Sequence, residues 1–354
     1  MITIAGAGIS GLTAAITLAA AGYAVSVYEK GFRPKPGFET AVHIFRNYGR
    51  EKDAVGELSQ TGIDMPELYK IYGMYKFSPN MKRSEIASTE PLFYSFLRGK
   101  DHRSIDQTLL KQAERLGVEL VFGKAAPEKV DIIATGAGKA AGAAYGLHYE
   151  NVNAVEAVYI FYNDRYAPKG YMFVLPYGNS ADVTTAMYCS PDDYGRIREY
   201  FEKAINDNGV LREILHGAEA VCEVSGYGDF NVPSSAVRDG CLYVGEAAGF
   251  QDGSNGFGVR YAILSGCLAA KSIIEGLDYD ELWKEAFLDD LEHYFKRRIV
   301  YQRMDNREFE RYIEELGEST TKEAEETLKA ESLSTVSDSE YRECLSRWQH
   351  ERKM

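Results

Sequence analysis

The opening β-α-β pattern constrains this chain more than any other stretch. Met1 to Ala5 is a short apolar run, and Gly6-Ala7-Gly8-Ile9-Ser10-Gly11 spells G-x-G-x-x-G. Ile9 to Ala21 is alanine-rich and stops at Gly22, and Tyr23 to Tyr28 is a second apolar run ending at Glu29-Lys30. This order predicts a strand, a glycine turn, a helix and a second strand. Gly6 permits the tight turn, Gly8 lets the backbone approach a pyrophosphate, and Gly11 lets the helix pack closely on the strand. The free N–H groups over Ala7 to Ser10 and the helix dipole favour phosphate charge. Glu29, at the end of the second strand, is placed to accept hydrogen bonds from adenosine ribose hydroxyls. Its charge also repels a 2′-phosphate, which excludes NADP at this position. The unit predicts a dinucleotide ligand.

A chain of 354 residues is too long for one small core and suits two interleaved domains. Its net charge of −13 argues against a nucleic-acid partner. Five scattered cysteines (Cys189, Cys222, Cys241, Cys267, Cys344) form no C-x-x-C pair. They predict reduced thiols, with no metal site and no disulfide framework. The N-terminus lacks a basic n-region, and no run approaches the ~20 apolar residues of a membrane span. The expected location is the cytoplasm, with membrane association at most peripheral.

Further along, Ser104 to Leu116 has helical spacing (Ile105, Leu109, Leu110, Ala113, Leu116), with Gly117 as its cap and Val118 to Phe122 as the next strand. Val130 to Ala134 reads as a buried strand ending in Thr135-Gly136. Residues 150–230 alternate in several segments, including Tyr171 to Leu175 and Val183 to Tyr188, and predict a largely antiparallel sheet with a helix near 191–207. Cys241 to Val244 returns to a buried strand, a helix runs from about Gly258 to Ile274, and residues 281–315 read as amphipathic helix. The polar segment 317–354 reads as a loosely docked helical tail.

A second constellation lies at Gly245-Glu246-Ala247-Ala248-Gly249, followed by Gly253-Ser254-Asn255-Gly256-Phe257-Gly258-Val259-Arg260 and Ser265-Gly266. It resembles the G-D-A-A-G segment and following helix of FAD-dependent oxidoreductases with the para-hydroxybenzoate hydroxylase fold, most of all the geranylgeranyl reductase family. The resemblance implies that Glu246, usually Asp in the family, holds the ribityl chain of FAD. It also implies that Gly256, Phe257 and Gly258 present backbone to the pyrimidine edge of the flavin, where a helix N-terminus stabilises negative charge. Arg98-Gly99, Ser104-Ile105-Asp106 and Gly117-Val118 match the family's arginine and following helix, implying that Arg98 reaches the FAD phosphates. Gly170 to Gly178 resembles the segment of the substrate sheet that roofs the flavin. Thr135-Gly136 stands where the hydroxylases carry Asp-Gly, which argues against NADPH-driven hydroxylation. Residues 31–49 lack the loop cysteine of many reductases, and His43 lies in about that place.

The resulting expectation is an α/β fold: a Rossmann-like FAD-binding domain with an interleaved antiparallel-sheet substrate domain and C-terminal helices. The FAD-binding domain is expected over 1–50, 95–145 and 235–300, the substrate domain over 51–94 and 146–234, and a helical tail over 301–354. By resemblance, reduced FAD saturates C=C bonds of an isoprenoid or similar apolar substrate, with His43 and Tyr177 as candidate catalytic residues. The absence of a second G-x-G-x-x-G implies a transient electron donor, NAD(P)H or a reduced carrier protein. The alternatives are an FAD-dependent monooxygenase and a non-redox flavin-assisted isomerase or cyclase.

Overall fold

The computed structural model describes residues 1–32, 39–48, 52–153, 155–188, 191–320 and 336–353. Its opening unit is strand Ile2–Ala5, helix Ile9–Ala20 and strand Val25–Glu29, the strands parallel with Ile2 opposite Val25. They form the middle of a six-stranded sheet ordered Val237–Arg238, Cys241–Tyr243, Ile132–Ile133, Ile2–Ala5, Val25–Glu29, Glu119–Phe122. Every pairing is parallel except the edge pair at Val237–Arg238. Helices must then cover its faces, as parallel strands bury both sides. Helix Ile9–Ala20 lies against helix Val259–Glu275, and Gly266 makes the approach possible. A Cβ at Gly266 would stand 2.4 Å from the Ser10 carbonyl oxygen.

The second lobe is an eight-stranded sheet, ordered Glu219–Gly228, Gly142–Glu150, Ser180–Met187, Tyr171–Tyr177, Ala157–Phe161, Gly73–Phe77, Arg83–Ala87, Glu318–Thr320. It is antiparallel apart from two pairings, Ala157–Phe161 with Gly73–Phe77 and Arg83–Ala87 with Glu318–Thr320. Helix Ile197–Asp207 backs it through Phe201 and Ala204.

Strands Thr40–Arg46, Phe93–Gly99 and Tyr69–Ile71 form a third, antiparallel sheet. The sequence reading assigned Thr40–Arg46 and residues 95–99 to the FAD-binding side, and Tyr69–Ile71 with residues 93–94 to the substrate side. Alternation explains their joint role: Phe45, Tyr94 and Phe96 belong to the core of the first lobe, while Val42, Ile44, Phe93 and Leu97 belong to that of the second. The small sheet is thus a shared layer between the lobes.

The C-terminal stretch is more firmly packed than its polarity suggested. Helix Asn306–Leu316 buries Phe309, Ile313 and Leu316 in the second core, and Glu318–Thr320 adds a strand to the large sheet. Helix Asp338–Lys353 docks on the first lobe through Tyr341 and Trp348, whose ring stacks on Phe230 at 4.7 Å between centroids. A few large aromatic anchors hold a helix whose remaining residues are mostly charged or polar, so mean polarity conceals the docking. Residues 321–335 of the expected tail lie outside the described residues.

Candidate functional site

The first glycine motif forms a turn that only glycine can make. Gly6 has φ of +106°, and a Cβ there would lie 2.2 Å from the Ala134 carbonyl oxygen. A Cβ at Gly11 would lie 2.0 Å from the Gly6 carbonyl oxygen. Gly8 differs: a Cβ there meets no atom within 4 Å among the described residues, so its face is open for a ligand. Gly8 also caps helix Ile9–Ala20, with no side chain bonded to the first-turn N–H groups. Helices that start after Asp53, Ser104, Asn208, Asp278 and Asp305 are capped by those side chains. Bare N–H groups and an open glycine face fit a pyrophosphate.

Glu29 stands at the end of its strand, where its carboxylate accepts from the N–H of Ala7 at 3.0 Å and of Gly31 at 2.8 Å. It thereby braces the glycine turn. Lys30 is exposed beside it. Thr135 and Gly136 follow the strand Ile132–Ile133, and Gly136 has φ of +80° with open space at its Cβ position. Arg98 is buried, and its Nε and one terminal nitrogen donate to Asp106 at 2.7 and 3.0 Å. This bidentate pair anchors the start of helix Ile105–Arg115 and gives the guanidinium a protein partner.

The second constellation is tied directly to the first. Gly245 has φ of +59°, rests on Ser10, and donates its N–H to Ser265 Oγ at 2.9 Å. Glu246 accepts from Gln251 Nε2 at 3.1 Å, and the same amide donates to the Gly256 carbonyl at 3.0 Å. Helix Val259–Glu275 begins at Gly258 without a side-chain cap. Gly256, Phe257, Gly258 and Glu246 line a cavity of about 1280 Å³, open mouth included, beneath the large sheet. The opposite wall carries Tyr171, Phe173 and Leu175, on alternate positions of one strand. Tyr171 Oη donates to the Asn255 carbonyl at 2.6 Å, joining the sheet to the glycine loop.

His43 is half-buried on the shared sheet and lines this cavity, with its ring 6.3 Å from that of Phe96. Tyr177 is displaced from it. It lies farther along its strand and lines a separate outer cavity of about 790 Å³ with Glu67, Asp101 and Arg103. Each residue advances a strand by about 3.3 Å, which carries Tyr177 beyond the cavity reached by Tyr171.

Several elements escaped sequence reasoning. Asp252, fully buried, accepts from Ser254 and Asn255 N–H groups at 2.7 and 3.0 Å and pairs with buried Arg46 at 3.2 Å. That ion pair fixes the Gly253–Gly258 loop to the shared sheet. The Asp-Gly-Ser-Asn string signalled a side-chain-stabilised turn, but its partner lies 206 residues away. His148 and Asp182 form a second buried pair, at 2.6 Å. Among the described residues, no group of three or more His, Cys, Asp or Glu is arranged to hold a metal ion, and no helix is long and apolar enough to cross a membrane.

Comparison with known proteins agrees with this architecture. Residues 4–51 match the NAD(P)-binding Rossmann-like domain. The chain is 27% identical over 171 residues to a digeranylgeranylglycerophospholipid reductase of Methanocaldococcus jannaschii, covering 45% of this chain and 43% of that protein. It spans less than half the length of the curated relatives it matches. In fold it is similar to a geranylgeranyl bacteriochlorophyll reductase-like protein of Thermoplasma acidophilum, with TM-score 0.74 and 18% identity over 94% of this chain and 96% of that one. It is also similar to p-nitrophenol 4-monooxygenase of Pseudomonas putida, with TM-score 0.60 and 13% identity over 98% and 97%. The glycine turns, the acid at Glu29 and the roofed cavity thus stand in a fold that this chain shares with a geranylgeranyl bacteriochlorophyll reductase-like protein and with a flavoprotein-type monooxygenase neighbour.

Proposed function

We propose that this protein uses FAD to saturate C=C bonds in the isoprenoid chain of an amphiphile with an anionic head. The carrying observation is the apolar cavity between the Gly256–Gly258 backbone and the large sheet, on whose wall Tyr171, Phe173 and Leu175 stand. Gly6 to Gly11 and Glu29 would hold the pyrophosphate and adenosine, with Glu246 at the ribityl chain. FAD supplies the hydride; the chain orients the alkene and excludes water from it.

A second observation favours the anionic head. Tyr188 and Phe230 line both this cavity and a neighbouring one of about 1560 Å³, open mouth included, which also carries Lys139, Arg298, Arg303 and Arg347. Arg298 is buried, stacked 4.4 Å over the Tyr188 ring, and bonded through one nitrogen to the Lys169 carbonyl. Its Nε and other terminal nitrogen have no hydrogen-bond partner among the described residues. A buried guanidinium with two unpaired donors fits a phosphate. Electrons would reach the cofactor from a transiently docked donor.

The test is anaerobic. Protein reconstituted with FAD and reduced with dithionite is mixed with a geranylgeranyl-chain phospholipid. Reoxidation of the flavin with a mass gain of two hydrogens per saturated bond is expected. Reoxidation by oxygen alone with a hydroxylated product would replace this reading with a monooxygenase, and turnover without flavin redox change would replace it with an isomerase or cyclase.

A further inference from the structure

Saturating an alkene needs a proton as well as a hydride, and a largely apolar cavity offers few groups in its wall to supply that proton. The large sheet carries a chain of polar groups suited to this. In its antiparallel register Leu175, Asp182, His148 and Cys222 stand opposite one another across four strands. Asp182 and His148 are 1% and 3% exposed, and His148 Nδ1 lies 2.6 Å from Asp182 Oδ1. The second carboxylate oxygen accepts from the Val42 N–H at 2.8 Å, which fixes the carboxyl plane. Burial pushes the Asp182 carboxyl upward from the usual range. The Cys222 thiol donates to the Thr40 carbonyl at 3.4 Å and leaves the imidazole to Asp182.

The pair faces two spaces. Asp182 lines the cavity under the sheet, beside Thr184. His148 lines the outer cavity, together with Glu67, Asp101, Arg103, Glu150 and Tyr177. A purely structural hydrogen bond has no need to join two cavities, and burying two titratable groups carries a desolvation cost.

We propose that Asp182 delivers the proton that completes alkene reduction and that His148 resupplies it from the outer cavity. This rests on the alkene-reductase reading given above. In the step, the π bond is consumed and two C–H bonds form. One takes hydride from reduced FAD, which is thereby oxidised by two electrons; the other takes the Asp182 carboxyl proton. The carboxylate then takes a proton from the His148 imidazolium, and the imidazole takes one from water in the outer cavity. Asp182 is the member of the pair that lines the substrate cavity; His148 acts through it as a positioning and relay residue.

The experiment compares wild type with the near-isosteric Asp182→Asn and with His148→Gln. Reduced, FAD-loaded protein is reoxidised anaerobically by a geranylgeranyl-chain phospholipid, while FAD affinity and melting temperature are recorded for each variant. Asp182→Asn should slow single-turnover reoxidation by roughly 100-fold or more, the range of general acid catalysis, with FAD affinity within about twofold. His148→Gln should slow it by roughly tenfold, less than loss of the acid itself, because water from the outer cavity can still reach Asp182. A second readout is free of turnover: NMR of 15N-histidine protein should show the His148 ring proton exchanging with solvent faster than reoxidation. Reoxidation of Asp182→Asn within twofold of a competent wild type, or a ring proton that outlasts turnover, overturns the relay alone. A wild type that the isoprenoid does not reoxidise overturns the alkene-reductase reading and the relay with it. Should Asp182→Asn fail to fold, the His148→Gln rate and the exchange measurement decide the matter.

Discussion

Gly8 and Gly11 share a motif but meet different surroundings, and replacing each with alanine separates ligand binding from folding. At Gly8 the backbone has φ −75° and ψ −179°, ordinary extended geometry for any residue, and the added methyl meets nothing within 4 Å. The protein without cofactor should therefore keep its stability or gain about 0.4–1 kcal/mol from a less flexible unfolded chain. The same methyl would occupy the space kept for the pyrophosphate. Losing two charge-assisted N–H contacts of ~1.5 kcal/mol each weakens FAD by about 3 kcal/mol, or a Kd raised roughly 100-fold. At Gly11 the methyl lies 2.0 Å from the Gly6 carbonyl oxygen, where real contacts begin near 3.0 Å. Gly6 cannot recede, because its own turn is pressed against Ala134. Overpacking of backbone on backbone sits at the upper end of the usual ~1–3 kcal/mol. With a urea slope of about 3 kcal/mol/M, the unfolding midpoint should drop by about 1 M. Urea titration and FAD titration of both variants form the assay. A Gly8→Ala protein that binds FAD with unchanged Kd would refute the phosphate assignment, and a Gly11→Ala protein of normal stability would refute the packing argument.

Three further outcomes are expected. Glu29→Ala should weaken FAD by about 1–3 kcal/mol in a fluorescence titration, since it removes the ribose-facing carboxylate and also the brace on Ala7 and Gly31. Gly258→Pro deletes a backbone donor at the start of helix Val259–Glu275; FAD should stay bound while its potential falls by roughly 20 mV, the equivalent of ~1 kcal/mol for a two-electron couple, in a spectroscopic redox titration. Burial and the nearby Arg297 and Arg46 charges hold the His293 imidazolium down to about 4. The unfolded histidine, near 6.5, binds a proton first, so stability is full above about 6.5 and declines by roughly 2–3 kcal/mol as pH falls to 4. His293→Gln should flatten that part of the pH–stability curve, and an unchanged acid limb would remove His293 as its source.

The parts of the site that were legible in the sequence are those whose chemistry depends on backbone shape over a few residues. Gly6 and Gly11 declare a tight strand-to-helix turn because no other residue fits such close approaches, and the strand, helix and Glu29 follow within one β-α-β unit. Gly256 to Gly258 were legible for the same reason. Arg98 and Tyr177 show where local pattern runs out. The sequence placed an arginine near a phosphate site, and only the fold brought Asp106 onto it; the sequence placed Tyr177 on a roofing strand, and only the sheet's length carried it to another cavity. The pairs Arg46–Asp252 and His148–Asp182 join residues 206 and 34 positions apart, and no local periodicity records such distances. Sheet register decides the second, since a shift of one residue turns a side chain from one face to the other, and the first forms where the loop carrying Asp252 folds back onto strand Thr40–Arg46. The sequence by itself therefore determined the glycine turns, whereas the tertiary structure decided which buried charges meet, which cavity each one faces and how the polar C-terminal helix is anchored.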